Sequence, residues 1–385
     1  MKSKTIAIIG GGPGGLTLAR LLQLNNLNVK VYERDPDQNM RQQGATLDLH
    51  EESGLKALIA AGLLDEFRKH YRPDADKIRL TDHHAVIHFD DHNREEPVVQ
   101  SGAYLRPEID RGPLRDVLIA SLEKNTIIWN SKFVKLESKD QGWNIFFENG
   151  NTEYADLVIA ADGAHSKLRN YITDIAPLYS GLTIVDGNIY HAETQAPELW
   201  KLAKGGKIFA LGQEKSIVLS TKGDGSLSFY TGSRETEDWV KTSGINFENK
   251  SSIYDWFKIR FADWGDIWHE LFVSNDSYFV PRPQYHFPPE QHWESIHNLT
   301  MLGDAAHRMP PYAGEGVNMA MLDAMELAEQ LTSKDFTNMK NAISIYEKSM
   351  CRRAAEITDI TLHSMEKMHS IDALEYLTDT FRQIH

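Results

Sequence analysis

Thr5-Ile6-Ala7-Ile8-Ile9-Gly10-Gly11-Gly12-Pro13-Gly14-Gly15-Leu16 opens the chain with an unbroken apolar run, a glycine cluster and the first residue of an apolar period of three to four. A continuous apolar run reads as a strand buried on both faces, and Leu16 to Leu24 has helical spacing. After the turn Asn25-Asn26, the stretch Val29 to Tyr32 returns to strand, which predicts one compact βαβ unit. Gly10 to Gly15 matches G-x-G-x-x-G between that strand and that helix, so Gly10, Gly12, Pro13 and Gly15 are the first candidate ligand contacts. Glycines there permit a tight turn, a close backbone approach to a pyrophosphate and close helix packing, and the helix N-terminus faces the negative charge. Glu33 lies 18 residues beyond Gly15 at the end of the second strand, placed to hold ribose hydroxyls. An acid at that point disfavours a 2′-phosphate, which leaves FAD or NAD. Arg34 is counted with this site, its alternative being a solvated surface charge.

Two more strand ends carry signals further along. Asp156 to Ala161 is an apolar strand that runs into Asp162-Gly163-Ala164-His165-Ser166-Lys167-Leu168-Arg169, a D-G-x-x-S-x-x-R sequence. Asn298 to Leu302 is a strand that runs into Gly303-Asp304-Ala305-Ala306-His307, followed by Pro310-Pro311-Tyr312-Ala313-Gly314-Glu315-Gly316-Val317-Asn318. These resemble the second and third fingerprints of flavin aromatic hydroxylases, and by that resemblance they select FAD over NAD. Physically, Asp304 at a strand end can accept hydrogen bonds from ribityl hydroxyls, and a helix starting near Gly316 aims unpaired N–H groups at a flavin edge.

The nucleotide-binding domain is therefore expected from three separated stretches, 1–75, 101–179 and 292–335. Gly54 to Phe67 has helical spacing, Lys77 to Phe89 alternates as a hairpin does, and residues 180–291 read as several strands with a tryptophan-rich helical stretch, Ile253 to Leu271. Residues 76–100 and 180–291 are assigned to a second, substrate-binding domain. Ala342, Tyr346, Met350, Ala354, Ile357, Thr361, Met365 and Met368 recur every three or four residues, so 336–385 is read as a long amphipathic C-terminal helix bridging the two. The expected fold class is α/β: a Rossmann-like FAD-binding domain, an inserted and mainly antiparallel β-sheet substrate domain, and that helix.

The chain as a whole resembles the class A flavin monooxygenases of the para-hydroxybenzoate hydroxylase fold, and within them the Tet(X) tetracycline-inactivating enzymes. Gly44-Ala45-Thr46-Leu47-Asp48-Leu49-His50, Pro107-Glu108-Ile109-Asp110-Arg111 and Gly303 to Asn318 carry the narrower likeness. The resemblance implies that Asp48, Leu49, Arg111, Asp162, Asp304, Pro311, Gly314, Gly316, Val317 and Asn318 contact FAD, and that Arg41 contacts NADPH as a transient reductant. It implies substrate contacts from Asp186, Lys207 and Ser228, which stand where Tet(X) enzymes carry Gln, Arg and His. Tyr312 replaces a Phe of those enzymes, and Met365 and Met368 would line the pocket from the C-terminal helix. A carboxylate is not an amide and an ammonium lacks the planar fork of a guanidinium, so either the pose or the substrate differs.

The implied activity is NADPH- and O2-dependent hydroxylation of a polycyclic phenolic or enolic small molecule, with tetracycline inactivation, hence antibiotic resistance, as its sharper form. No catalytic side chain is named, because the cofactor carries the hard chemistry and the protein binds, orients and excludes water. The alternatives are another FAD oxidoreductase, or a non-catalytic FAD-containing protein that binds or senses a small molecule.

Composition narrows the partners. Asp plus Glu number 55 against 41 Lys plus Arg, a formal charge of -14 that repels nucleic acid and anionic membrane surfaces. Cys351 is the single cysteine, which excludes an internal disulfide and fits a reducing cytoplasm. The histidines between His83 and His92 lie on the hairpin without a recognisable metal spacing, so no metal is expected. No coiled-coil heptad presents itself, and the chain is expected to be a monomer.

Overall fold

A computed structural model describes residues 3–38, 40, 46–73, 75–92, 106–272, 274 and 277–384. Arg41, and Gly44 and Ala45 of the segment ending at His50, lie outside the described residues. Thr5–Ile9 is the central strand of a five-stranded parallel sheet ordered Leu299–Met301, Leu157–Ala160, Thr5–Ile9, Asn28–Tyr32, Ile127–Ile128. The apolar runs that open the chain and precede Asp162 bury both faces of this sheet, with Ile8 and Ile159 fully enclosed. The helices Pro13–Leu24 and Gly316–Thr332 pack against each other beside it, closely enough that a Cβ on Gly14 would stand 2.8 Å from Ala320 O. A three-stranded antiparallel sheet, Thr152–Ala155, Gly142–Phe147 and Phe133–Lys139, adjoins the parallel sheet.

The second large sheet has seven strands in the order Phe279–His286, Leu178–Ile189, Leu227–Arg234, Lys215–Thr221, Lys207–Gly212, Ile78–Asp82, Ile87–Asp90. All its pairings are antiparallel except that of Lys207–Gly212 with Ile78–Asp82. The alternation along each strand sorts the residues onto two faces. One face buries Val185, Ile189, Phe229, Ile217, Leu219, Ile208 and Ala210 against Phe257, Phe261, Trp264 and Trp268 of the tryptophan-rich stretch. The other face looks toward the nucleotide-binding region and the C-terminal helices.

The fold is thus α/β, as the residue pattern predicts, but three helical readings change. The run from Gly54 to Phe67 is two helices, Gly54–Ala60 and Leu64–Arg68, because Gly62 takes a φ of 70° and turns the chain between them. The tryptophan-rich stretch is the α-helix Lys250–Arg260 followed by a 3₁₀ segment, Asp266–Phe272. At the C-terminus Met339–Met368 is one helix of 30 residues, but a second, Ala373–Ile384, follows it. The break falls at His369, whose ring is drawn into the sheet and whose Nδ1 donates to Glu214 O at 3.1 Å. Among the described residues no helix is long and apolar enough to cross a membrane.

Candidate functional site

The glycine turn between Thr5–Ile9 and Pro13–Leu24 divides by what surrounds each glycine. Gly10 has a φ of 116°, and a Cβ there would lie 2.2 Å from Ala161 O; a Cβ on Gly15 would lie 2.2 Å from Gly10 O. A Cβ on Gly12 would meet no protein atom within 4 Å. The outer glycines are required by the protein's own packing, whereas Gly12 leaves a cradle at the helix N-terminus, where Pro13 occupies the first turn without needing an N–H partner. Glu33, 2% exposed, accepts from Gly11 N at 2.6 Å and from Asp35 N at 3.0 Å. It braces the turn through both carboxylate oxygens. Arg115, which the sequence reading missed, donates to Gln38 O at 2.8 Å from a buried position behind Gly11. Arg34 is exposed.

The other two strand ends converge on the same edge of the parallel sheet. Asp162 accepts from Lys167 N at 3.1 Å through Oδ2, while its buried Oδ1 has no partner among the described residues. Burial pushes its pKa up. Arg169 of the same motif is a bolt between fingerprints: it donates to Ala305 O at 3.1 Å, Ala306 O at 2.8 Å and Gln291 Oε1 at 2.8 Å, and lies 3.5 Å from the centre of the Phe287 ring. Behind Gly303, buried Asp323 accepts from Gly303 N at 2.9 Å, pairs with His307 Nε2 at 2.5 Å and accepts from Arg353 at 2.7 Å. Asp304 itself is exposed at the strand end.

The loop that starts the helix Gly316–Thr332 closes this region. No side chain caps that helix, so its first N–H groups, Gly316 and Val317 among them, are left for a ligand. Pro311, Gly314 and Gly316 are exposed and Val317 is half-buried. Asn318 is fully buried, and its side chain is spent on the protein: Oδ1 accepts from His50 N at 2.9 Å and Gly54 N at 3.2 Å, and Nδ2 donates to Asp48 O at 2.9 Å. His50, not singled out from sequence, lies between two carboxylates, with Nε2 3.0 Å from Asp48 and Nδ1 3.0 Å from Glu315. Against the desolvation of burial, these two contacts raise its pKa to about 9. Against the same desolvation, His50, Lys207 and Arg106 bring Asp48 down to about 2. Leu49 is buried, and its N–H donates to Pro107 O at 3.0 Å.

Asp48 pairs across a two-stranded ribbon with Glu108, and there the two halves of the molecule meet. Lys207 of the seven-stranded sheet bonds to Glu108. On the sheet face that carries Lys207, register places Lys207, Ser220, Ser228 and Asn188 side by side, with Asp186 two residues from Asn188 on the same strand. Asp186 is 4% exposed and paired with Arg282 at 2.7 Å; burial raises its pKa, opposed by Arg282 and by Arg111. Arg111 is half-buried and begins the helix Arg111–Ala120. Ser228 is buried and its Oγ has no partner among the described residues.

The opposite end of this face is apolar. Met365 packs with Leu182, Ile184, Tyr230 and Tyr312, and Met368 with Leu80, Leu211, Phe209 and Tyr312. Tyr312 Oη lies 2.9 Å from His369 Nε2, which is also 3.3 Å from Ser216 Oγ. Burial lowers the pKa of His369 to about 4, so at neutral pH its Nε2 accepts these hydroxyls. Of the substrate candidates, Asp186, Ser228 and Lys207 thus lie along one polar row, and Tyr312, Met365 and Met368 form the apolar wall beyond it. Asn188, Glu108 and His369 were missed. The alternation from Asp186 to Asn188 was visible in the sequence, but the cross-strand register that aligns Asn188 with Ser228 was not.

The Gly12 cradle, the unpartnered Asp162 oxygen, exposed Asp304 and the uncapped helix at Gly316 suit a phosphate, ribityl hydroxyls and a polar ring edge, the parts of FAD. The chain belongs to the FAD binding domain family, which it matches over residues 3–175 and 293–361. Its fold is that of the class A flavin monooxygenases, and FAD-dependent oxidation is its chemistry. It is 28% identical to the monooxygenase penA of Penicillium thymicola over 97% of both chains. Among solved structures it resembles a putative FAD-containing monooxygenase of Photorhabdus luminescens, 25% identical with a TM-score of 0.76 over 95% of this chain and 98% of that one. The tetracycline destructase Tet(51) shares the fold, at 18% identity and a TM-score of 0.72 over 99% of this chain and 95% of that one.

Proposed function

We propose that this protein uses NADPH and O2 to add one oxygen atom to a polycyclic phenolic or enolic small molecule held between the parallel sheet and the seven-stranded sheet. The observation that carries this reading is the meeting of Lys207 with Glu108 beside Asp48, which brings the polar row of one sheet against the cofactor loops of the other. Residues 1–75, 101–179 and 292–335 are assigned to binding FAD, 76–100 and 180–291 to binding substrate, and 336–385 to bridging them.

FAD, when bound, supplies the redox chemistry and the activation of oxygen. Gly12 would take its pyrophosphate on the turn that Gly10, Pro13 and Gly15 shape; Glu33 its ribose; Asp162 and Asp304 its linking hydroxyls; and Gly314, Gly316 and Val317 its ring edge. Asn318 orients Asp48 and Gly314 without touching the cofactor through its side chain. Arg41 is assigned to the nicotinamide cofactor. Tyr312, Met365 and Met368 exclude water from one end of the substrate, and Asp186, Lys207 and Ser228 border the other. Tetracycline is one candidate substrate.

The test is a visible spectrum of the purified protein, then NADPH oxidation and product mass in air with and without tetracycline. Flavin absorbance, NADPH use accelerated by tetracycline and a product heavier by one oxygen are the results expected of the tetracycline form. Flavin without that product moves the substrate elsewhere; protein that cannot be loaded with FAD sinks the reading.

A further inference from the structure

Asn188 and Ser228 stand directly opposite each other on neighbouring strands of the substrate sheet, 1% and 2% exposed. Asn188 Oδ1, Asn188 Nδ2 and Ser228 Oγ all lack a hydrogen-bond partner among the described residues. A buried carboxamide with both ends unpaired carries a desolvation penalty that folded proteins relieve with a partner, so these atoms point to a ligand. The charged groups of the row supply none: Asp186 is held by Arg282 and Lys207 by Glu108. What the row offers an incoming molecule is neutral and specific, namely one amide donor, one amide acceptor and one hydroxyl.

A carboxamide sets its donor and acceptor side by side, which is the complement of a ring N–H adjacent to a C=O. A phenol or enol hydroxyl can donate to Oδ1 and accept from Nδ2, but a single oxygen cannot lie in line with both, so its pair is bent and weaker than the two parallel bonds of a lactam edge. A carboxylate would take the donor and set its negative charge against Oδ1. We propose that the substrate of this face carries a lactam-type edge, a ring N–H beside a carbonyl, docked on Asn188 through two parallel hydrogen bonds with Ser228 Oγ as a third contact. The inference rests on the proposed monooxygenase function for placing the substrate at this face, and it makes Asn188 a specificity residue. It holds for either orientation of the Asn188 amide, since exchanging oxygen and nitrogen reverses the pair without removing it.

The FAD-loaded protein is titrated with 4-hydroxy-2-quinolone and with 4-hydroxycoumarin, which differ by a ring N–H in place of a ring oxygen, and binding is followed by flavin and tryptophan fluorescence. The lactam should bind about tenfold more tightly or better, because a site built to pair a donor rejects an analogue that lacks it. Asn188→Leu, similar in volume and apolar, should bring the two affinities to within about twofold; Asn188→Ala serves if the Leu protein does not retain FAD. Equal affinities in the wild type, no detectable binding of the quinolone, or a preference that survives both substitutions would each overturn the inference. Selective binding of the quinolone without faster NADPH oxidation would leave the recognition standing and remove the monooxygenase reading. Hydroxylation of tetracycline without quinolone binding would do the reverse.

Discussion

The glycine turn at Gly10–Gly15 and the polar row Asp186–Asn188–Ser228–Lys207 belong to different sheets and are built by different means. The first is backbone: its recognition groups are N–H dipoles and a place where no Cβ stands, and every element of it lies within a few residues along the chain. The second is side chains on four strands, brought together only by pairing of residue 188 with 228, 228 with 220 and 220 with 207. A site made of backbone constrains local sequence tightly and tells what class of ligand binds. A site made by register leaves little trace in local sequence and decides which member of the class binds.

The largest effect is expected where that contrast is cut within the turn itself. Gly10→Ala places a Cβ at 2.2 Å from Ala161 O at a φ of 116°, so it must displace the strand end; the cost should be about 3 kcal/mol or more, seen as loss of soluble protein or a fall of many degrees in Tm. Gly12→Ala meets no protein atom and should leave the Tm of the FAD-free protein within about 2 °C, while lowering FAD affinity on the order of tenfold. If both substitutions prove equally destabilising without FAD, the division between packing glycines and a ligand-facing glycine is wrong.

Arg169 should rank next. Arg169→Met keeps much of the volume but leaves Ala305 O and Gln291 Oε1 without the donor they use here, and Ala306 O with Gln291 Nε2 alone, in a buried setting, at a cost of about 2–4 kcal/mol in thermal or urea unfolding. A change below about 1 kcal/mol would show that the second and third fingerprints hold their relation without this bolt.

How far the sequence could be read follows the same division. The strands at Thr5–Ile9 and Leu157–Ala160 are apolar runs and Leu299–Met301 is apolar but for Thr300, and each leads into Gly or Asp, a pattern that local spacing makes plain. Gly62 and His369 broke helices that periodicity alone had joined, because a positive φ and a long-range hydrogen bond are not periodic signals. His50 is the sharper omission. Its role depends on Glu315, 265 positions away in the chain, and nothing local to Leu47-Asp48-Leu49-His50 announces a cation between two acids. Asp48 and Lys207 were named from resemblance, but that they share Glu108 as a neighbour is visible only in the fold.

The His50 cluster yields a pH test of the contact between the Asp48 segment and the Gly314–Gly316 loop. The folded pKa of about 9 lies above the ordinary 6.5, so the stabilisation is fully present below pH 6.5 and is lost as pH rises through 9. The stability difference between wild type and His50→Gln should be constant from about pH 5 to 6.5, near 1–2 kcal/mol after solvent screening, and shrink toward zero by about pH 10. Asp48 stays ionised over that whole range, since its pKa is about 2, and so cannot imitate the effect. A difference that does not change between pH 6.5 and 10 would mean that His50 acts through its shape and not its charge.

The smallest effect is expected at the apolar end of the substrate face. Tyr312→Phe removes the hydroxyl 2.9 Å from His369 Nε2, but Ser216 Oγ remains 3.3 Å from that nitrogen and the His369 ring stays neutral. The loss should be about 0.5–1.5 kcal/mol, a shift of a few degrees in Tm at most. Because Tyr312 Oη points to His369 and its ring packs with Met365 and Met368, the substitution should leave kcat/KM within about threefold for a substrate the wild type accepts. A fall of more than about tenfold with unchanged Tm would place the hydroxyl against the substrate and extend the polar row past Ser228 into what is described above as its apolar wall.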